Sequence, residues 1–379
     1  MRTLLVAGGS GGHLIPALSL AEDLQRDGAV FLLSTKRPVD QMLSERHGAR
    51  GAQVEWLTVD LKKFTPLWRW FSPVYLSHQM RAFRKISQLM RQNSPDIVVG
   101  FGGYLSAAAA AVARRQRIPT VLHEQNLVPG RSNRWMARLS GCVAVSFPET
   151  KKYFSRRTRL AVTGNPIRSV LKPIDRQEAR LKLGLDREKP TLLVMGGSQG
   201  SRILNDVGLS MWENSVGLRS FDVQVIHLTG EGMIRQAQET YRTLGVKAVV
   251  FGFLHEMEWA YAAADLAISR AGATTIAELA AWRLPSILVP YPHAGGHQRA
   301  NARWLGNQGG ALVLEEKMLT APELLSAVHT LLRDQDQLTR MRENLRSSSN
   351  GSAIERLGAL VRQMGSDPAG SDPNKGGAG

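Results

Sequence analysis

Cysteine is nearly absent: Cys142 is the only one in 379 residues. That excludes a disulfide framework and a thiolate-ligated metal centre, and it fits an intracellular setting. Long apolar runs are missing too, since none approaches the roughly 18 residues that a membrane-spanning helix needs. The N-terminal MRTLLVAGGSGGH has no charged region set apart from an apolar one, so it reads as the first strand of the fold rather than a leader. Acidic residues are in deficit, 32 against 48 Lys and Arg, for a net charge of +16. Such a balance calls for an acidic partner: nucleic acid, anionic lipid or a phosphorylated substrate.

What the chain does have is glycine placed after short apolar strands. Its length implies two domains. LLVAGGSGGHLIPALSLAEDL reads as strand, glycine loop and amphipathic helix. The spacing GGSGGH is not GxGxxG, and the next strand, VFLLSTKRP, ends in Thr35, Lys36 and Arg37 with no acid for a ribose. This argues against a dinucleotide-dependent oxidoreductase. His13 stands at the helix start, where the positive end disfavours imidazolium and leaves a ring able to accept a proton. The alternative is a histidine that only hydrogen-bonds the loop. SPDIVVGFGGYLS repeats the design with Gly100, Gly102 and Gly103, and IPTVLHEQN is a strand ending in His123, Glu124, Gln125 and Asn126. In an open parallel sheet these strand ends would converge on one crevice. Glu124 and Asn126 are read equally as ligands or as structural hydrogen-bonders.

Between Leu61 and Met90, aromatic residues (Trp68, Trp70, Phe71) interleave with cations, among them Arg81, Arg84 and Lys85. An anionic bilayer attracts that mixture, single-stranded nucleic acid uses the same ingredients, and core packing would claim part of it. Gly164-Asn165-Pro166 reads as a turn, and the polar LKPIDRQEARLKLGLDREKP as a linker, which puts the domain boundary near 165. The second half restarts the architecture with PTLLVMGGSQGSRILND, where Ser198 can donate to a phosphate or cap a helix. In SRAGATTIAEL a helix begins near Thr274 and presents free N–H groups and a positive dipole end to an anion. Glu278, one turn in, would repel a phosphate and is better used on two ribose hydroxyls. Together these outline a nucleotide-sugar site. Phe253 and Leu254 are placed to flank a flat base, and Gln298 and Asn301 to lie opposite the helix start. His293 and His297 lack a nearby carboxylate, so no metal is expected. Glu323 to Gln363 reads as helical and 364–379 as a disordered tail.

GGSGGHLIPALSLA, GFGGYLS, HEQN, GNPIR, GGSQGSRILN, SRAGATTIAEL and HQRANA, in this order from about Thr3 to about Leu314, closely resemble the bacterial MurG family. The resemblance implies a GT-B fold, two Rossmann-like domains (1–165 and 166–363) with parallel sheets facing across a cleft. It implies an inverting hexosyltransferase that moves GlcNAc from UDP-GlcNAc to the C4 hydroxyl of undecaprenyl-diphospho-MurNAc-pentapeptide (lipid I), giving lipid II. The donor would be held by Ala273, Thr274, Thr275, Ile276, Ala277 and Glu278, with Ser198 on phosphate, Leu254 against uracil, and Gln298 and Asn126 on the sugar. Arg168, Ser10, Gly11 and Gly12 would complete that site. Gly102, Gly103, Tyr104 and Glu124 would hold the acceptor, and His13 matches the family's base. The segment from Trp68 to Met90 matches the family's docking surface for the anionic inner leaflet, implying a peripheral protein on the cytoplasmic side of the inner membrane. Other cell-wall synthesis proteins are further implied partners; a cofactor, a metal and nucleic acid are not. Ser10 stands where threonine is common, and HAGGHQ is an unusual form of the segment before Gln298. A glycolipid synthase that passes another UDP-sugar to diacylglycerol is the rival closest in chemistry.

Overall fold

The computed structural model describes residues 1–48, 54–61, 72–167, 174–197, 200–213, 222–348 and 352–366. Trp68, Trp70, Phe71, Arg168 and Ser198 lie outside the described residues. The chain forms two compact units, the first built from residues up to Ile167 together with the last helix, the second from Ile174 to Ser348.

In the first unit, strands and helices alternate: β1 (Thr3–Val6), α1 (Gly11–Leu24), β2 (Val30–Thr35), α2 (Pro38–Gly48), β3 (Glu55–Val59), α3 (Pro73–Asn93), β4 (Ile97–Gly100), α4 (Gly103–Arg115), β5 (Thr120–Glu124), α5 (Arg131–Met136), β6 (Cys142–Val145) and β7 (Leu160–Val162). All seven strands pair in parallel in the order β3-β2-β1-β4-β5-β6-β7. Parallel strands need helical crossovers, which cover both faces of the sheet. The continuous apolar character of β1, β4 and β6 follows, because every residue in them is buried. The strand order reverses between β1 and β4, where a doubly wound sheet opens a crevice at its carboxyl edge.

The second unit repeats the plan with α6 (Arg176–Lys182), β8 (Thr191–Met195), α7 (Arg202–Glu213), β9 (Gln224–Leu228), α8 (Ile234–Thr243), β10 (Ala248–Phe251), α9 (Met257–Ala263), β11 (Leu266–Ser269), α10 (Ala273–Ala281), β12 (Ser286–Leu288), α11 (His297–Asn307), β13 (Ala311–Val313), α12 (Ala321–Arg333) and α13 (Gln335–Ser348). Its six parallel strands run β10-β9-β8-β11-β12-β13, so the reversal falls between β8 and β11. These are the two Rossmann-like α/β domains that the sequence predicts.

Two expectations need correction. The polar segment after the GNP turn is not wholly linker: Asp175 caps α6 by accepting from the Glu178 N–H at 3.0 Å. Inside that helix Ala179 and Arg180 are buried. Nor does the second domain extend to 363. The final helix, α14 (Ala353–Ser366), belongs to the first unit. Leu357, Val361 and Met364, spaced i, i+4 and i+7, sink into the core formed by α1 and β4. Each such burial is worth roughly 1.5–3 kcal/mol. At its solvent edge Arg362 reaches Asp23 at 2.8 Å and Asp27 at 2.6 Å. Of the tail expected at 364–379, residues 364–366 belong to α14, and the rest lies outside the described residues.

Candidate active site

The loop from β1 to α1 is shaped by a carboxylate. Asp40, 1% exposed, accepts the Gly9 N–H with Oδ1 at 2.9 Å and the Thr35 N–H with Oδ2 at 3.1 Å. The Thr35 hydroxyl donates to it as well. It is thus turned inward onto backbone and not towards a ribose. Ser10 precedes α1 without capping it; its hydroxyl lies 3.2 Å from His13 Nδ1. The same nitrogen is 3.4 Å from the Gly8 carbonyl, which only accepts, so the proton belongs on Nδ1 and the lone pair on Nε2. Burial pulls the His13 pKa below its ordinary value, and the Gly8 carbonyl and Asp40 partly oppose this.

The β4–α4 loop closes on that ring. Gly102 and Gly103 have φ of +103° and +77°, left-handed backbone that glycine adopts without penalty. A Cβ on Gly102 would stand 3.3 Å from His13 Nε2 and 3.1 Å from the Asn133 amide. Glycine here lets the loop and the imidazole approach. Tyr104, next in α4, stacks under the Arg37 guanidinium at 5.6 Å, and burial raises its phenol pKa.

The HEQN strand end organises itself. Glu124, 1% exposed, accepts from the Asn126 N–H (2.9 Å) and the Asn126 side chain (3.3 Å) on Oε1. Its Oε2 accepts from the Gly130 N–H (3.2 Å) and Asn133 Nδ2 (2.6 Å). Burial raises its pKa while these donors lower it. Buried His123 lies 2.9 Å from the Gly164 carbonyl and 3.0 Å from the Gln125 amide, with its pKa lowered to about 4 by desolvation.

In the second unit the β8–α7 loop is tight: a Cβ on Gly200, whose φ is +76°, would collide with the Thr229 carbonyl. Arg270, 8% exposed, holds this loop to β11. Its Nε and Nη2 donate to the Ser201 hydroxyl at 3.1 and 2.9 Å, and its Nη1 to the Val289 carbonyl at 3.2 Å. Glu316 neutralises it at 2.5 Å. Gly272 supplies no side-chain cap to α10, so the first N–H groups of that helix stay open. The Thr274 hydroxyl there is buried with no hydrogen-bond partner among the described residues. One turn further Glu278, 9% exposed, accepts the Tyr261 hydroxyl at 2.8 Å. Asn301 donates to the Ala271 carbonyl at 3.2 Å, and Gln298 accepts the Tyr291 N–H at 3.0 Å. Leu254 is half-buried just past β10. Among the described residues no cluster of three acidic, histidine or cysteine side chains is placed to hold a metal.

Residues 3–145 match the glycosyltransferase family 28 N-terminal domain, and residues 191–357 the family 28 C-terminal domain. The chain is 36% identical to a Moorella thermoacetica protein over 94% of this chain and 97% of that one. It is 32% identical to one from Caldanaerobacter subterraneus over 96% and 100%. Both relatives are called UDP-N-acetylglucosamine–N-acetylmuramyl-(pentapeptide) pyrophosphoryl-undecaprenol N-acetylglucosamine transferase. The crystal structure of Acinetobacter baumannii MurG superposes with a TM-score of 0.74 at 27% identity, covering 96% of this chain and 99% of that one. The chain belongs to the MurG family. It is accordingly a GT-B glycosyltransferase that uses a UDP-sugar.

Against that family, the fold gathers Ser10, His13, Gly102 and Gly103 into one cluster, with Glu124 and Asn126 joined to it through Asn133. Ala273 to Glu278 share one helix. Sequence reasoning missed Asp40, Asn133, Arg270 and Tyr261. Tyr261 precedes Glu278 by 17 residues and lies on another helix, so no local pattern announces the pair.

Proposed function

We propose that this MurG-family enzyme transfers GlcNAc from UDP-GlcNAc to the C4 hydroxyl of lipid I with inversion, forming lipid II. The observation that carries the reading is the pairing, within α10, of an open amino terminus with a buried, Tyr261-held carboxylate. At about 1.5 Å per residue, Ala273 and Glu278 are about 7.5 Å apart along the axis, a span suited to a diphosphate at one end and a ribose diol at the other. The free N–H groups and the Thr274 hydroxyl take the phosphates, helped by Thr275, Ile276 and Ala277, and Glu278 takes the ribose hydroxyls. Leu254 bounds the uracil, and Gln298 and Asn126 hold the sugar. Ser10, Gly11 and Gly12 are assigned to the same donor, as are Arg168 and Ser198.

In the reaction the acceptor oxygen attacks the anomeric carbon as the bond to UDP breaks. The bond electrons leave on the diphosphate, where preorganised donors contribute about 10²–10³ in rate. The hydroxyl proton goes to His13 Nε2, the nitrogen left as acceptor; such a base contributes about 10²–10⁴. Gly102, Gly103 and Tyr104 serve the acceptor diphosphate directly, whereas Glu124 serves it by fixing the HEQN loop. No residue in this scheme requires a cofactor or nucleic acid.

Membrane docking is part of the proposal. The first turns of α3 expose Val74, Leu76 and Met80, 73%, 42% and 46% accessible, beside exposed Arg81, Arg84 and Lys85. Apolar side chains rimmed by cations suit an anionic leaflet, with the protein peripheral on the cytoplasmic side of the inner membrane and near other cell-wall synthesis proteins. Among the described residues no helix is long and apolar enough to cross a membrane.

The deciding assay is UDP release from UDP-GlcNAc with and without a soluble lipid I analogue, for the wild type and Glu278→Ala. Acceptor-dependent release that falls at least a hundredfold in the variant is expected. Turnover with diacylglycerol in place of that analogue would overturn the reading.

A further inference from the structure

At the carboxyl end of α10 the second unit has a half-open cavity of about 150 Å³. Its walls are Arg176 from α6, Tyr261 from α9, Trp282 and Arg283 at the end of α10, and Arg342 from α13. The Tyr261 and Trp282 rings lie 6.2 Å apart at 30° and form an aromatic side. The remaining walls are the three arginines and the apolar residues Ile174, Ala262, Ala264 and Leu284.

The charges there do not balance. Asp265 is the one carboxylate that ion-pairs with this group among the described residues, and it is already engaged. Arg180 reaches it at 2.5 Å, Arg176 at 2.9 Å and the Thr191 N–H at 2.8 Å. Arg342, 24% exposed, stands 3.7 Å away, beyond hydrogen-bond range. Burial, and then repulsion from Arg176, lower the Arg342 pKa, and Asp265 only partly compensates. Arg176, Arg180 and Arg342 share Asp265, Arg180 is also under the charges of Glu188 and Asp186, and the carboxyl end of α10 adds roughly half a negative charge, so the three arginines that line the cavity are left in positive excess. A half-buried guanidinium without an anion is costly, whereas one that meets an oxyanion makes short, paired hydrogen bonds.

We infer that this cavity is an anion site that takes a phosphate-class oxyanion, held by Arg176, Arg283 and Arg342 against the Trp282 ring. Drug-sized ligands occupy roughly 300–1,000 Å³, so this volume admits one or two phosphoryl groups and excludes a nucleoside. Planar guanidinium forks suit tetrahedral oxyanions better than ammonium groups do. The site is separate from the open N–H groups of α10, which lie at the opposite end of the same helix, and it stands whether or not the proposed reaction is right.

The test is titration of the full chain with sodium phosphate and with sodium pyrophosphate at an ionic strength fixed by chloride, read by calorimetry and by amide hydrogen exchange. Protection is expected in α6, in α13 and around Arg283. Arg342→Gln should weaken binding at least tenfold, and Arg283→Ala, at an exposed position that folding tolerates, about threefold or more. Vesicles of phosphatidylglycerol should not compete for the site, because a lipid headgroup cannot carry its chains into so small a cavity. Protection confined to the start of α10, equal affinity in the wild type and both variants, or competition by vesicles would each overturn the assignment.

Discussion

The two units share a topology yet tie down their switch-point loops with opposite charges. In the first, the buried carboxylates Asp40 and Glu124 lie under the loops and accept the N–H groups of Gly9, Asn126 and Gly130. In the second, the guanidinium of Arg270 does the tying, through the Ser201 hydroxyl and the Val289 carbonyl, and the first N–H groups of α10 stay open. Carboxylate ties use up backbone donors and guanidinium ties spare them. The second unit is therefore the better cradle for a tightly held diphosphate. In the first, the Arg37 guanidinium lies against Gly9 and Tyr104, and the His13 ring beside them is held uncharged by burial.

The sharpest way to break that comparison is His13→Ala, which should lower kcat by about 10²–10⁴ and leave UDP affinity unchanged. Because the His13 pKa is lowered, only protonation below its ordinary value of 6.5 removes the base. Activity of the wild type should therefore rise with pH through a point below 6.5 and be flat at neutrality, and the variant should lack that acid limb. The next largest effect separates the ties themselves. Asp40→Ala and Arg270→Ala should each cost about 3 kcal/mol of stability, seen as a shifted urea midpoint, since both leave buried partners unmatched. Arg270→Ala should also weaken UDP binding in calorimetry several-fold more than Asp40→Ala; equal losses in both variants would erase the distinction. Smallest is Tyr261→Phe, which removes one hydrogen bond to Glu278. It should raise the KM for UDP-GlcNAc about fivefold to tenfold, about 1 kcal/mol, and leave kcat within about twofold.

The parts of the molecule that were legible in the sequence are those encoded locally. A short apolar run, paired glycines and an amphipathic helix recur at Leu4–Leu18 and Leu192–Leu204, and each became strand, loop and helix at a switch point. Glu278 was legible because it shares a helix with the glycine turn that precedes it. Asp40 was hidden because its partners, Gly9 and Thr35, come from other elements and only the fold brings them together. Arg270, between Ser269 and Ala271, gives no local sign that Ser201 and Glu316 will meet it. Polar composition concealed α6, whose single buried ion pair with Asp265 does the anchoring that apolar residues usually do. The same period of 3.6 runs through α12, α13 and α14, and periodicity does not say which sheet a helix will cover.

The return of α14 to the first unit has a consequence for how the protein is made. The core around α1 and β4 lacks Leu357, Val361 and Met364 until the last part of the chain is synthesised. At about 5–20 residues per second, the chain between the end of β7 and the end of α14 takes roughly 10–40 s to appear. The second unit holds all its own strands and helices before then, so the half that is translated later is the first able to close. During that interval the first unit carries an uncovered apolar groove on the nascent chain. A ribosome stalled before residue 353 would hold it there, which makes this groove the place where a chaperone has most to protect.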